Sequence, residues 1–217
     1  MKRLTLILLL LSCSFAFAQS QSAYQEGLHY KTIDPAYAPD DDKHVIIYEF
    51  FGYKCPHCAN FQPYMKSLHE KLPPYVKVIR VPLGFSGAWK VLAQGYYTAQ
   101  VMGVLEKSHQ ALFDAIHKQH KKLRSIEDVA QWFADNYGVD KSKFLETANS
   151  FRVDSMIKKG NNIAVKVQAL RTPKLVINGK FMPDAGAIGS YDGLIELTIE
   201  LAEQEAQIMG LKPLLFR

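Results

Sequence analysis

Cysteine is scarce in this chain of 217 residues; there are three, Cys13, Cys55 and Cys58. That scarcity excludes a disulfide-stapled scaffold, because a bridge between neighbours three apart ties nothing distant together. A structural zinc site is excluded as well, since it needs four ligands and there is no second cysteine pair. Covalent haem attachment requires a histidine directly after the second cysteine, and Ala59 stands there. Lysine and arginine are not interleaved with aromatics in any cluster, so no nucleic-acid surface is indicated. Internal repeats and low-complexity tracts are missing. Long apolar runs are missing too, the longest being Leu4 to Leu11, too short to span a bilayer.

That short run belongs to a leader. Met1-Lys2-Arg3 is a basic start, and Ala16-Phe17-Ala18 is a small-x-small cleavage site. Residues 1–18 are therefore expected to be a signal peptide, cut after Ala18. Leu10-Leu11-Ser12-Cys13 loosely resembles the box before a lipidated cysteine, but bulky Leu11 fits it poorly and the alanine site is preferred. Cleavage removes Lys2 and Arg3 and lowers the formal charge from +5 to +3. It also removes Cys13. An exported chain then carries only Cys55 and Cys58, and the pair must be there for its chemistry.

Apolar (48%) and charged (22%) shares are those of a soluble globular protein. Residues 19–44 are polar and turn-rich, with one edge strand expected around His29 to Thr32. Val45 to Phe51 is a continuous apolar, β-branched run and reads as a buried central strand. Pro56 to about Leu72 reads as a helix bent at Pro63 and ended by Pro73-Pro74. Val76 to Val81 closes a β-α-β unit. Helical patterns then succeed one another: Gly87 to Met102, Glu106 to His120, Ile126 to Tyr137, Lys141 to Ser150 and Asp154 to Leu170. Ser125 to Asp128 reads as a capping box on the third, and Gly138 as its terminator. Lys174 to Ile177, an Asn178-Gly179 turn and Lys180 to Met182 form a hairpin, and a last helix runs from Tyr191 to Met209. The economical reading is an α/β fold whose mixed sheet, from 19–85 and 171–217, is interrupted by an all-helical insertion over 86–170. Trp89, Tyr96, Tyr97, Trp132 and Phe133 are expected in the core or between domains. His117 and His120, in a Lys/Arg-rich stretch, are expected on a solvated face.

The C-x-x-C sits where the strand gives way to the helix. Cys55 takes the cap position and Pro56 the first helical position, where a missing N–H is not needed. The helix mouth presents unpaired N–H groups and the positive end of its dipole, which favour a thiolate at Cys55. His57 adds a further donor within the same turn. Cys58, one turn further in, is expected to be buried with an ordinary or raised pKa. Each unit by which the Cys55 pKa falls favours the dithiol over the disulfide by about 1.4 kcal/mol, or about 30 mV. A disulfide so biased is readily given away.

Cys55-Pro56-His57-Cys58 after Glu49-Phe50-Phe51 resembles the DsbA family of bacterial periplasmic disulfide oxidases, as do Ser150-Phe151-Arg152-Val153 through Leu170-Arg171-Thr172-Pro173 and Val176 to Phe181. The resemblance implies a thioredoxin fold carrying the helical insertion, with Cys55 the attacking, exposed cysteine and Cys58 its resolving partner. It further implies that Thr172-Pro173 is the substrate-binding cis-proline loop, and that Glu49 is a buried acid that moves the proton of the resolving thiol. Arg80, on the neighbouring strand, is its expected partner, since a carboxylate among Ile47, Tyr48, Phe50 and Phe51 is costly unless paired.

The resemblance thus implies a monomeric periplasmic oxidase with no cofactor and no metal. Such a protein would act on reduced exported proteins and be reoxidised by a DsbB-like, quinone-linked membrane oxidase. Threonine before the proline also resembles disulfide isomerases, so an isomerase or reductase is the alternative, although their dimerisation domain has no counterpart ahead of Tyr24. A metal-binding module using Cys55, Cys58 and His57 is a third reading, one that lacks Met/His-rich arms.

Overall fold

The computed structural model describes residues 22–211. The expected signal peptide and its cleavage site lie outside them. Five strands form one mixed sheet: β1 (Tyr30–Thr32), β2 (Val45–Phe51), β3 (Val76–Pro82), β4 (Lys174–Ile177) and β5 (Phe181–Pro183), in the order β1-β5-β4-β2-β3. Strand β2 lies parallel to β3 and antiparallel to β4. All seven of its residues are buried, as an apolar run in the middle of a covered sheet must be. Side chains alternate across it. Val45 and Ile47 pack with Phe61, Met65 and Leu68 of α1 (Pro56–Lys71) and with Leu194, Leu197 and Leu201 of α8 (Tyr191–Ile208). Ile46, Tyr48 and Phe50 face the other way, onto Ile163 and Ala164 of α6 (Phe151–Lys166). Glu49 therefore shares the α1 side of the sheet.

Between β3 and β4 the only regular elements are helices: α2 (Gly87–Val101), α3 (Leu105–His117), α4 (Ile126–Tyr137), α5 (Lys141–Ala148) and α6. Leu112, Phe113, Val129, Phe133 and Phe144 form their core, and that core continues through Phe51 and Tyr53 to the two cysteines. Helix α4 has its capping box, Ser125 to Asp128, and ends at Gly138 in the left-handed region (φ 64°).

Boundaries shift where a cap is not recognisable in the sequence. Helix α6 starts at Phe151 rather than Asp154, because the Ser150 hydroxyl accepts from the Val153 N–H at 3.4 Å. It stops at Lys166 rather than Leu170, with Gln168 at φ 58°. Helix α3 ends at His117, not His120, and His120 takes φ 56°. No glycine marks either stop. The β4–β5 turn uses Asn178 and Gly179 with φ of 51° and 65°, closed by Lys180 N–H to Ile177 O at 2.9 Å. A Cβ at position 179 would also meet the Tyr37 carbonyl oxygen at 1.8 Å, so only glycine fits. A short α7 (Ala185–Ile188), capped by Asp184, has no counterpart among the expected elements.

Tyr96, Tyr97, Trp132 and Phe133 are buried as expected. Trp89 takes the second of the two expected places: on α2 of the helical block, it is 36% exposed and lies across the backbone of Gly52, where an added Cβ would stand 2.0 Å from the ring. His117 is not on a solvated face. Its Nε2–H donates to the Tyr53 carbonyl at 2.7 Å, and its ring stacks on Phe113. A charge run at the end of α3 hides an inward-facing position.

Candidate active site

Strand β2 ends at Phe51 and the chain turns through Gly52 to Lys54 into α1. Cys55 N–H closes that turn onto Gly52 O at 3.0 Å, and Cys55 is the N-cap residue, with Pro56 at the first helical position. Its Sγ accepts from the Cys58 N–H at 3.4 Å, as a cap side chain does. In thiol form it also donates to the Thr172 carbonyl at 3.6 Å, across 117 residues of sequence. Thr172 and Pro173 are half-buried beside it, joined by a cis peptide bond. Pro56 and His57 are exposed.

Both cysteines are free thiols in this structure, and both are buried; Cys55, expected to be exposed, is only 8% accessible because the Thr172-Pro173 loop lies against its sulfur. Their surroundings push them apart. A hydrogen bond from the Cys58 thiol draws the Cys55 pKa down to about 5, helped by the Thr172 side chain and the backbone N–H groups of Cys58 and His57, against partial burial. Cys58 is fully buried and its pKa goes up, first because its proton is held by the Cys55 sulfur and then by burial itself. His57 reaches Cys55 through its backbone N–H while its side chain lies in solvent, so the donor expected from its ring is supplied by its peptide.

Beneath the pair lies Glu49, fully buried. The β2–β3 register sets it directly opposite Arg80. Gln62 Nε2–H donates to Glu49 Oε1 at 3.2 Å and also to the Cys58 carbonyl at 3.3 Å, tying the carboxyl to the Cys58 backbone. Burial lifts the Glu49 pKa to about 7, against the pull of Arg80 and Gln62. A carboxyl poised there can hold or release a proton at neutral pH.

Two further residues support the site without standing out in the sequence. Gln62 stands one turn after Cys58, at i+4, a spacing that could have marked it. His109 of α3 is buried, pairs through Nδ1 with the Tyr53 hydroxyl at 2.8 Å, and has its pKa lowered to about 3 by burial, which keeps it neutral. With His117 it fixes Tyr53, and so the loop before Cys55. At the surface, Phe85, Trp89 and Leu170 are exposed around a depression of about 240 Å³ that reaches Thr172. Among the described residues, no three His, Cys, Asp or Glu side chains gather to hold a metal, and no helix is long and apolar enough to cross a membrane.

A thioredoxin family model matches residues 38–196. The thiol:disulfide interchange protein DsbA of Pseudomonas aeruginosa is 36% identical over 206 residues, covering 94% of this chain and 97% of that protein. This chain belongs to the DsbA family. The Azotobacter vinelandii DsbA is 40% identical over 161 residues, 74% of this chain and 75% of its own length. A crystal structure of Pseudomonas aeruginosa DsbA superposes with a TM-score of 0.80 at 36% identity, covering 86% of this chain and 97% of that one. The α/β architecture is thus the thioredoxin fold with a helical insertion, and the DsbA-family chemistry is thiol:disulfide oxidoreduction.

Proposed function

We propose that this chain is an exported oxidase that donates a Cys55–Cys58 disulfide to cysteine pairs of other exported proteins. A substrate thiolate attacks the Cys55 sulfur, the Cys55–Cys58 bond breaks, and Cys58 leaves with the electron pair. Glu49 supplies the proton that the buried Cys58 sulfur holds so firmly. The substrate's second thiolate then attacks the substrate sulfur of the mixed disulfide and expels Cys55 as a thiolate. Two electrons have passed from the substrate to the cysteine pair, and the substrate carries the new disulfide. On reoxidation Glu49 takes the Cys58 proton back. Pro56 and His57 shape the mouth, and Thr172-Pro173 bind the substrate backbone next to Cys55.

What carries this reading is the comfort of the Cys55 anion at the mouth of α1, which makes it the better leaving group of the two sulfurs. Residues 19–85 with 171–217 would form the catalytic domain and 86–170 the helical domain, a division supported by the unbroken series α2 to α6 between β3 and β4. The leader sends the protein to the periplasm, where it works as a monomer and a DsbB-like, quinone-linked membrane oxidase restores the disulfide. The test is refolding of a reduced, disulfide-requiring substrate by the oxidised protein, beside a glutathione titration of the pair. Stoichiometric oxidation of the substrate and a pair more oxidising than glutathione are expected. A pair that stays oxidised at glutathione's own potential would sink the donor role.

A further inference from the structure

Arg80 holds an unusual place in this site. It faces Glu49 from the next strand, yet its best bonds point elsewhere. Its Nη1 donates to both carboxylate oxygens of Glu106 at 3.3 Å, and its Nη2 lies 3.3 Å from His69 Nε2. Only Nε turns toward Glu49, 3.6 Å from Oε2, which is contact between charges but not a hydrogen bond. Both of those atoms are buried without a hydrogen-bond partner. A guanidinium that closed on a buried carboxylate in its two-pronged fashion would sit about 2.8 Å away and fix it as an anion. Glu106 lies in the first turn of α3 and its side chain is 79% exposed. An ion pair that exposed adds little to stability. It does engage Arg80 on the side away from Glu49.

We propose that Glu106 is a positioning residue for this site, holding the Arg80 guanidinium outward so that Glu49 is only loosely paired and stays able to exchange a proton. The inference rests on the reading of Glu49 as the acid and base for Cys58. It places part of the control of that group in the helical insertion, at an exposed surface position. The polar groups around Glu49 are few: Gln62 and Cys58 from α1, Arg80 from β3, Tyr53 from the turn after β2 and Tyr96 from α2, with His69, His109 and Glu106 beyond Arg80. Leu175 of β4 opposes it with no polar side-chain atom. Arg80 is the one fixed cation among them, so its position governs the carboxyl. Without Glu106 it is free to close the gap, which favours the Glu49 anion.

The experiment is a carboxyl-carbon NMR titration of the reduced protein labelled at glutamate, with the Glu49 signal identified by Glu49→Gln. In Glu106→Gln the Glu49 midpoint should fall by about half a unit or more. Glu127→Gln removes the same charge from an exposed position on α4 and should leave Glu49 unmoved. In an Arg80→Met background, Glu106→Gln should move Glu49 no further. An unmoved Glu49 midpoint in Glu106→Gln overturns the proposal, and so does an equal shift in Glu127→Gln or a shift that persists without Arg80. The pH profile of Cys58 attack on a preformed mixed disulfide is measured alongside. A shifted Glu49 titration with an unshifted profile upholds the placing of Arg80 by Glu106 and removes Glu49 from the proton transfer.

Discussion

Two sulfurs separated by one turn of α1 meet opposite surroundings, and the contrast locates where the reactivity is made. Cys55 is at the helix mouth, with N–H donors and the Cys58 thiol directed at it. Cys58 is inside, sealed by the helical block's core and set above a buried carboxyl tied to its own backbone. Covalent structure is the same in both. What differs most is the direction in which hydrogen bonds and backbone dipoles point, for both sulfurs are buried, at 8% and 0% exposure.

The contrast breaks most severely if the donor from Cys58 is removed. Cys58→Ala cannot form the bond, so oxidase turnover is lost outright. The Cys55 thiolate, tracked by its absorbance in the ultraviolet, should titrate on the order of one to two units higher than in the reduced wild type. In the converse variant, Cys55→Ala, the remaining Cys58 should resist alkylation at neutral pH. Rapid labelling there would show that burial does not protect it.

A second way to test the contrast is thermal. The folded Cys55 pKa of about 5 lies below its ordinary value of 9.0. The group therefore stabilises the folded dithiol above pH 5, increasingly up to about pH 9, and that gain is lost as pH falls through 5. The disulfide form has no such titration. Reduced protein should thus outlast oxidised protein near neutral pH, by about 1 to 2 kcal/mol once solvent screening at the mouth is allowed for. The gap should close at about pH 4, below both values. Parallel melts of the two forms across that range measure it.

Glu49 sharpens the comparison from below. Its carboxyl is raised from 4.5 to about 7. That shift favours the folded state below pH 4.5, and the advantage is lost as pH rises through 7. Above 7 the wild type therefore holds a costly buried anion that Glu49→Gln lacks. The variant should be more stable at about pH 8 by about 1 to 2 kcal/mol, with the difference shrinking as pH falls, while its resolving step slows. Denaturant melts at the two ends of that range decide it, and equal stability at both would mean that the carboxyl is not strained.

Much of this was legible in the chain because the signals were local. A Pro one residue past a cap, an Asn-Gly between apolar runs and a Ser-x-x-Asp before an amphipathic stretch each act within a single turn, and α1, the β4–β5 turn and α4 could be read from them. The unbroken apolar run 45–51 announced β2 and made Glu49 conspicuous inside it. What the chain could not announce was set by tertiary neighbours. Nothing near His117 or His109 says that their rings turn inward to hold Tyr53, and the lysines after His117 argue the opposite. Composition does not say whether Trp89 lies in the core or between domains; it lies across Gly52 because the α2 first turn runs past the active-site loop. The pull of Glu106 on Arg80 depends on α3 meeting β3, a contact between elements with no shared pattern.

His57 supplies the finest cut. Sequence reasoning gave its imidazole a share in holding the Cys55 anion, whereas the structure leaves that ring in solvent and directs the residue's backbone N–H at the sulfur. The two accounts differ in what survives substitution. Serine keeps the peptide N–H and removes only the ring, so His57→Ser should raise the Cys55 pKa by less than about half a unit if the backbone dominates. That is well short of the shift expected for Cys58→Ala. A shift in His57→Ser as large as the one in Cys58→Ala would return the imidazole to the centre of the site, in a reduced form where the ring folds back over the sulfur. Thiolate titrations of both variants, run in the same buffer, rank the two donors directly.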